Sequence, residues 1–384
     1  MPPDSRPMTY VETPRDLERA AARMHGVQRL AVDTESNSMH AYPEQVCFVQ
    51  IRAEDDVFII DTVRLRDLSA LQSCFGDPSV EKILHGADYD VVCLARDFGL
   101  RFSGLYDTML AAQFLGMERL GLASLCSHYF GVELDKSLTR HDWGLRPIDP
   151  PYLQYMCEDV LYLAQLRDIL QEQVKDAGIE EELALEFQRV EKLEWSPKGF
   201  DPEGWRRIKG AKDLDEEARR VMVELFRLRE ELALERGVPP YRILRNEVML
   251  SLARNRRARR GDLKGFKSLK RGFLNRYEKR LLAALRRARD AEPVSALGPR
   301  KTQKRPRAEV RREDALRRWR KEEAQRRGVV TMVVLPNHVL VDLVAEPPDT
   351  LDALKRFPYL GENRRERYGS EILEVLRAAD SSSR

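Results

Sequence analysis

The chain has 384 residues, of which 42% are hydrophobic and 34% charged, and this length predicts two or three folded domains. Its net charge of +3 divides unevenly: residues 1–200 hold 20 Lys and Arg against 34 Asp and Glu, a net of −14, whereas residues 201–384 hold 46 against 29, a net of +17, so the basic half is a candidate polyanion binder. The sequence has no apolar run near the ~18 residues of a membrane span and no secretion signal, so we expect a cytoplasmic protein without a membrane partner. Its five cysteines include no C-x-x-C pair, so we expect neither a disulfide framework nor a structural zinc site.

A helix and a short strand begin the predicted fold. Residues 14–25 indicate a helix that starts near Pro14, and residues 30–35, Leu-Ala-Val-Asp-Thr-Glu, indicate an apolar strand that ends in two carboxylates. Side chains two apart on a strand point the same way, so we expect Asp33 and Glu35 side by side. Such a pair repels itself unless a cation lies between the two groups, and hard oxygen ligands suit Mg²⁺ or Mn²⁺. Taken alone, the pattern also fits a turn at Asp33 with a solvated Glu35.

Strands and helices alternate through the rest of the acidic half. The predicted elements are strands at 46–51, 57–60 and 82–84, and helices at 68–75, 89–98, 107–114 and 121–130. Their order predicts an α/β fold with a mixed sheet and helical cover. Asp90 lies where a strand passes into a helix, which is a place where side chains converge on a site. Asp88 is a rival carboxylate, and either residue could simply cap the helix.

The segment 135–147 is dense in polar and aromatic residues. A loop with Lys136, Arg140 and Arg146 could hold a phosphate, and Trp143 could stack on a base. The alternative is a structural loop in which Trp143 is the apolar anchor.

A single long amphipathic helix is predicted at 151–176. Tyr155 and Asp159 are four residues apart on it, so they share one face. A tyrosine hydroxyl beside a carboxylate could orient a water near a metal ion, although such a pair is common by chance.

Four signals fall in a fixed order along the chain, namely Asp33-x-Glu35, Asp90 five residues after His85, Tyr155, and Asp159. Together they resemble the DEDD superfamily of 3′–5′ exonucleases, in the subgroup whose third motif is Tyr-x-x-x-Asp. The segments 134–147 and 205–210 resemble the ribonuclease D family more closely, and 85–90 also resembles its eukaryotic exosome-associated relatives. The resemblance implies an RNase H-like mixed sheet with helices.

The resemblance also implies a role for each motif residue. Asp33, Glu35 and Asp159 would hold the metal that activates water, Asp33 would also reach a second metal, and Asp90 would help nearby through water. Tyr155 would help to orient the attacking water. Two Mg²⁺ or Mn²⁺ ions roughly 3.5–4 Å apart can stabilise both the attacking and the leaving oxygens of an in-line phosphoryl displacement.

The basic half reads as helices over 211–289, with a break at 237–240. Phe266 and Phe273 are interleaved with a run of basic residues, which favours contact with a nucleic-acid backbone over a solvated helical bundle. The candidate nucleic-acid contacts here are Arg254, Arg256, Arg257, Arg259, Arg260, Lys264 and Lys267, to which we add His85 in the acidic half.

A weak internal repeat joins residues 236–246 to residues 327–337 at the same spacing. Both segments resemble the all-α HRDC domain, and the stretch between them is rich in proline and basic residues, as in a flexible linker. The predicted organisation is an exonuclease domain at 1–205, HRDC-like domains at 211–290 and 309–384, and a linker at 291–308.

The resemblance implies a metal-dependent 3′–5′ exoribonuclease that releases nucleoside 5′-monophosphates and trims the 3′ ends of tRNA precursors and other structured RNA. A Werner-type DNA exonuclease shares the nuclease fold and the HRDC module, and the sequence does not exclude DNA, because the discriminating contact is to the 2′-OH. The third alternative is an inactive RNA-binding scaffold, against which all five motif residues are present. The oligomeric state is not set by the sequence, and a monomer is favoured.

Overall fold

The computed structural model describes residues 8–196, 199–255, 263, 266, 269–296 and 305–381. These residues form two compact units. Unit 1 contains the described residues of 8–36, 46–195 and 305–381, and unit 2 contains those of 37–45 and 196–303. The second HRDC-like segment therefore clusters with the nuclease segment in unit 1.

Unit 1 contains a mixed sheet, as predicted, and within the described residues its strand order is β1-β4-β3-β2-β5-β6. The strands are β1 (Met8–Val11), β2 (Arg29–Ser36), β3 (Val46–Ala53), β4 (Asp56–Asp61), β5 (Glu81–Leu84) and β6 (Leu105–Asp107). Strand β2 pairs antiparallel with β3 and parallel with β5, so it lies inside the sheet. Strands β1 and β6 were absent from the sequence prediction, because each is too short to show a period.

Helices cover this sheet. They are α1 (Pro14–Met24), α2 (Gln72–Phe75), α3 (Asp88–Phe98), α4 (Thr108–Phe114), α5 (Leu122–Phe130), α6 (Pro150–Leu161), α7 (Leu163–Asp176) and α8 (Glu180–Glu191). Helix α1 begins at Pro14 as predicted, and the Thr13 hydroxyl caps it by accepting a hydrogen bond from the Asp16 N–H at 3.2 Å.

The predicted single helix at 151–176 is wrong, because the chain forms two helices that meet at Tyr162. The guanidinium of Arg52, on strand β3, donates a hydrogen bond to the carbonyl of Leu161. That carbonyl is thereby satisfied from outside the helix, which lets the helical ladder end there. Helix α6 packs against β2 and β3, whereas α7 packs against β5 and α4.

The second HRDC-like segment completes unit 1 with its own apolar core. Its helices are α13 (Arg307–Arg327), α14 (Thr331–Val334), α15 (Asn337–Ala345) and α16 (Glu362–Ser381). The carboxylate of Glu181, on α8, accepts hydrogen bonds from the backbone N–H groups of Glu362 and Asn363, both at 2.7 Å. These are the first amides of α16, where a helix favours a negative charge.

Unit 2 is helical where it is described. Its helices are α9 (Glu216–Arg236), α10 (Pro240–Ile243), α11 (Asn246–Arg254) and α12 (Arg271–Asp290), packed around a separate core. The segment 37–45 joins this unit: the hydroxyl of Tyr241 donates to the carbonyl of Met39 at 2.7 Å, and the Tyr42 N–H donates to the carbonyl of Gly237 at 3.1 Å. The middle of the predicted linker, 297–304, lies outside the described residues.

Candidate active site

Three carboxylates meet where strand β2 ends. One oxygen from each of Asp33, Glu35 and Asp159 lies within 4.8 Å of the other two. Asp33 and Glu35 are two apart on β2, so the pleat turns both to one face. Asp159 reaches them from α6, which packs against β2. The predicted juxtaposition of Asp33 and Glu35 is confirmed, and Asp159 joins it.

Asp90 lies beside this cluster, on the first turn of α3. It is 8% exposed and accepts a hydrogen bond from the hydroxyl of Thr34, the residue between Asp33 and Glu35. Its charge also raises the pKa of Glu35, after burial and the two nearer carboxylates. Asp88, the rival carboxylate, is exposed on the same turn.

Burial is the main reason why the pKa of each of these carboxyl groups lies above its ordinary value. The pKa of Glu35 rises to about 10 through burial and then through Asp33, Asp159 and Asp90. The pKa values of Asp90 and Asp159 rise to about 8 and about 7, and that of Asp33 also rises well above its usual range. Within the described part of the chain, no basic side chain pairs with Asp33, Glu35 or Asp159. The missing positive charge is what a cation would supply.

The donor set fits a hard divalent cation. Carboxylate oxygens are the ligands that Mg²⁺ and Mn²⁺ prefer, and three of them leave positions for water and a phosphate oxygen. The three groups also come from two rigid elements, β2 and α6, which fixes their spacing before a metal arrives. The cluster can therefore hold a divalent ion.

Tyr155 lies one helical turn before Asp159, as the spacing predicted. A hydrogen bond from Tyr155 lowers the pKa of Asp159 and so offsets part of the effect of burial and of Glu158. Burial and the neighbouring carboxylates raise the pKa of the Tyr155 phenol above its ordinary value, so the phenol keeps its proton. It is thus a hydrogen-bond donor at the edge of the cluster.

The prediction that Trp143 stacks on a base is wrong. Its side chain is 1% exposed, because the ring packs edge-on against Phe48 and stacks on Tyr155, with centroids 6.2 Å and 5.8 Å away. A ring enclosed in this way has no free face for a nucleobase. The alternative, a structural loop with Trp143 as its anchor, is the correct one.

The prediction that Arg146 holds a phosphate is also wrong, because its donors are already used. Two of its N–H groups donate to the carboxylate of Asp61, both at 2.6 Å. The other three donate to backbone carbonyls, those of Trp143 (2.7 Å), Leu145 (2.6 Å) and Cys47 (3.1 Å). A guanidinium has five N–H donors, and all five are accounted for.

Lys136 and Arg140, the other two basic residues of this loop, have exposed side chains, and their contact with nucleic acid stays a prediction. His85 is largely buried, with its Nδ1 atom 2.9 Å from the Thr108 hydroxyl. Burial lowers the pKa of His85 to about 4, so the ring is neutral at pH 7 and offers no charge to a phosphate. A neutral hydrogen bond to nucleic acid stays a prediction for it.

The basic run of unit 2 is described only in part. Arg254 is exposed in the last turn of α11. The other candidate contacts lie outside the described residues, namely Arg256, Arg257, Arg259, Arg260, Lys264 and Lys267.

Unit 2 carries a second basic surface that the sequence analysis missed. A groove of about 760 Å³ is lined by basic, aromatic and apolar residues, with no acidic one among the residues that the structure describes. We call it the basic groove, and its charged and aromatic members are Arg236, Arg242, Arg245, Lys270, Arg276, Tyr241, Phe273 and Tyr277. They come from two separate stretches of chain, 236–245 and 270–277, so no single local pattern in the sequence shows the groove.

Among the helices of the described ranges, none combines the length and the apolar character that a bilayer crossing requires.

Two family models match parts of the chain. Residues 8–175 match the family model of the 3′–5′ exonuclease domain, and residues 218–285 and 310–376 match that of the HRDC domain. The chain is 32% identical to the exosome complex component 10 homolog of Caenorhabditis elegans over 255 residues, which are 64% of this chain and 29% of that protein. It is 29% identical to the exosome complex exonuclease RRP6 of Saccharomyces cerevisiae over 264 residues, which are 65% of this chain and 36% of that protein. The chain thus spans about a third or less of the length of these relatives.

Solved structures support the same assignment. The catalytic core of RRP6 from Trypanosoma brucei superposes with a TM-score of 0.70 at 26% identity, over 76% of this chain and 82% of that chain. Escherichia coli RNase D superposes with a TM-score of 0.64 over 97% of this chain and 99% of that chain, and at 22% identity it shows that the fold is shared. The chain therefore carries a domain of the 3′–5′ exonuclease family at residues 8–175, followed by two HRDC domains.

Proposed function

We propose that this protein is a metal-dependent 3′–5′ exoribonuclease that hydrolyses the terminal phosphodiester bond of RNA and releases nucleoside 5′-monophosphates. The observation that carries the proposal is the cluster of Asp33, Glu35 and Asp159, with Asp90 and Tyr155 beside it, in a domain of the exonuclease family. Relatives of this domain carry the name of exosome exonucleases, which favours RNA as the substrate.

Asp33, Glu35 and Asp159 would hold one divalent cation, Mg²⁺ or Mn²⁺, and Asp33 with nearby Asp90 would serve a second. When bound, such ions activate a water and neutralise charge on the phosphate. Thr34 fixes Asp90 through its hydroxyl, so Asp90 keeps one orientation toward the site. Tyr155, which keeps its proton, would donate a hydrogen bond that orients the attacking water beside Asp159.

The basic groove would hold the RNA strand in unit 2. Basic side chains bind phosphates without regard to sequence, and exposed aromatic faces stack on unpaired bases. Tyr241 is 50% exposed at the groove, and within the described ranges no acidic residue lines it. Arg254 and the predicted contacts at 256–267 would add to this binding, as would Lys136 and Arg140 in unit 1.

The proposed substrates are tRNA precursors and other structured RNAs with a 3′ extension, met in the cytoplasm. The order of one exonuclease domain and two HRDC domains supports a ribonuclease D-like task. All five cysteines are unpaired, as in proteins of a reducing compartment.

The test is degradation of a 5′-labelled tRNA precursor with a 3′ extension, in Mg²⁺ or Mn²⁺, beside a DNA strand of matching sequence. We expect the wild-type protein to give a ladder that shortens from the 3′ end of the RNA, and Asp33→Ala to give none. Trimming of the DNA alone would establish the Werner-type reading. Silence on both strands with retained RNA binding would establish a scaffold.

A further inference from the structure

A buried ion pair of Asp61 and Arg146 lies beside Trp143, whose ring contacts the ring of Tyr155. Asp61, the last residue of β4, is fully buried, and the guanidinium of Arg146 meets both of its oxygens at 2.6 Å. The Tyr10 hydroxyl also donates to Asp61, at 2.6 Å. Hydrogen bonds from Arg146 and Tyr10 outweigh burial and hold the pKa of Asp61 below its ordinary value, so the carboxylate stays charged.

This pair fixes the loop that carries Trp143. Arg146 donates to the carbonyls of Trp143 and Leu145 as well as to Asp61, and its guanidinium lies 4.0 Å from the centre of the Phe48 ring. The main chain on the carboxyl side of Trp143 is therefore tied to the end of β4. A loop of this polarity would otherwise be free to move.

Trp143 connects this fixed loop to the active site, because its ring contacts Tyr155. Its ring contacts Phe48 and Tyr152 edge-on, with interplanar angles of 83° and 80°, and it stacks on Tyr155 at 28°. A tyrosine packed against a flat neighbour keeps its side-chain rotamer and its ring plane. The rotamer sets the position of the hydroxyl oxygen, and the O–H bond lies near the ring plane. For Tyr155 that bond points toward Asp159.

We propose that Asp61, Arg146 and Trp143 are positioning residues for the hydrolysis, which hold the Tyr155 hydroxyl beside Asp159 where the attacking water is oriented. The inference rests on the proposed function, because it gives Tyr155 its task there. A buried ion pair is a weak source of stability, since desolvation cancels much of its attraction. Its bidentate geometry does restrict how the loop can sit, which is what a positioning role needs.

The test is a double-mutant cycle between Trp143→Phe and Tyr155→Phe, with kcat and KM measured on single-stranded RNA in Mg²⁺. Trp143→Phe keeps an aromatic ring but leaves part of the stacking surface empty. We expect it to lower kcat by roughly 3- to 30-fold, which lies within the coupling observed between residues in contact, with KM within about twofold of wild type. In the Tyr155→Phe protein, where the hydroxyl is already gone, Trp143→Phe should lower kcat no further.

A second double-mutant cycle combines Arg146→Lys with Tyr155→Phe and tests the ion pair. It replaces the first cycle if Trp143→Phe does not fold. Lysine keeps the charge but cannot form two parallel hydrogen bonds to Asp61 or stack on Phe48. The matched control is Phe75→Leu, which removes another buried ring of unit 1. The centre of that ring lies 5.0 Å from the centre of the Phe102 ring. We expect this control to lower the melting temperature and leave kcat unchanged.

Two results would overturn the inference. One is an equal loss of kcat from Trp143→Phe with and without the Tyr155 hydroxyl, because the two residues would then act independently. The other is a lowered melting temperature with kcat unchanged, as expected of packing alone. A wild-type protein that degrades no RNA would instead refute the proposed function, and the inference with it.

Discussion

At the residue scale, the neighbouring acidic residues Asp90 and Asp88 have different surroundings, and the family resemblance selects Asp90. Asp90 is buried and held by Thr34, whereas Asp88 is exposed on the same helical turn. Asp90→Asn should therefore lower kcat by at least ~10²-fold, because a neutral amide is a poor partner for a metal ion and its water. Asp88→Asn, with the same chemical change two residues away, should stay within about threefold of wild type. Rates on a labelled RNA in Mg²⁺ measure both, and equal losses would contradict the choice of Asp90.

The carboxyl groups also link stability to pH in the metal-free protein. The pKa of Glu35 in the folded state is about 10, above its value in the unfolded chain, mainly because of burial. A raised carboxyl pKa means that stability is lost as pH rises from the unfolded value toward the folded one. Glu35→Gln removes this cost, so it should stabilise the metal-free protein by about 1–3 kcal/mol at pH 8, after allowance for partial exposure, and by much less at pH 5.

Urea unfolding in EDTA at both pH values measures that difference. Excess Mg²⁺ is the control, because the ion supplies the missing charge and should stabilise the wild-type protein more than Glu35→Gln. If Glu35→Gln is less stable than wild type at pH 8 in EDTA, then folding does not disfavour the charged form of Glu35.

At the element scale, local periods were enough to predict much of the site. The alternation of a strand predicted the pairing of Asp33 with Glu35, and the pitch of a helix predicted that Tyr155 and Asp159 share a face. The break at Tyr162 could not be predicted, because it depends on Arg52, which is over a hundred residues away in sequence. Such a contact leaves no local pattern.

The sequence left two interpretations of the loop at 135–147 open for a related reason. A phosphate-binding loop and a loop fixed by a buried ion pair have the same basic and aromatic composition. What separates them is Asp61, which lies 85 residues before Arg146 and takes up two of its donors. The basic groove of unit 2 was missed because its members, such as Arg245 and Arg276, come from two stretches of chain that are far apart in sequence.

Helix α8 is the element that joins the second HRDC domain to the nuclease sheet inside unit 1. Glu181 caps α16 through two amides at its start, and near the other end of α8 Glu191 accepts the Leu105 N–H of β6 at 2.7 Å. Glu181→Ala should cost about 1–2 kcal/mol of stability, as the loss of a helix cap does. Hydrogen exchange of the amides of Glu362 and Asn363 should rise with it.

Glu180→Ala is the matched control, because Glu180 is exposed and precedes Glu181 on the same helix. It should change stability by less than about 0.5 kcal/mol and leave those amides protected. Equal exchange in the two variants would show that Glu181 does not cap α16 in solution.

At the scale of the whole molecule, an acidic catalytic part and a basic helical part share one chain. The first 200 residues carry a net charge of −14 and the remainder +17, so we expect the basic part to bind the RNA backbone. Arg245→Glu with Arg276→Glu should weaken RNA binding several-fold. It should also make the affinity depend less on salt, because fewer phosphate contacts release fewer counterions on binding. Arg367→Glu, one such reversal at an exposed site on α16, is the control for each of the two single substitutions. Equal weakening by the control would mean that net charge, and not the basic groove, sets the affinity.

The central claim is that the carboxylate cluster hydrolyses RNA from its 3′ end with a divalent ion, and the first product of a 3′-end-labelled RNA tests it most directly. We predict that wild-type protein in Mg²⁺ or Mn²⁺ releases the label as a nucleoside 5′-monophosphate from the first turnover. EDTA, or the Asp33→Ala substitution, should stop this release. Three results would contradict the account. The label could first leave in a longer fragment, it could leave as a 3′-monophosphate, or it could leave equally fast in EDTA.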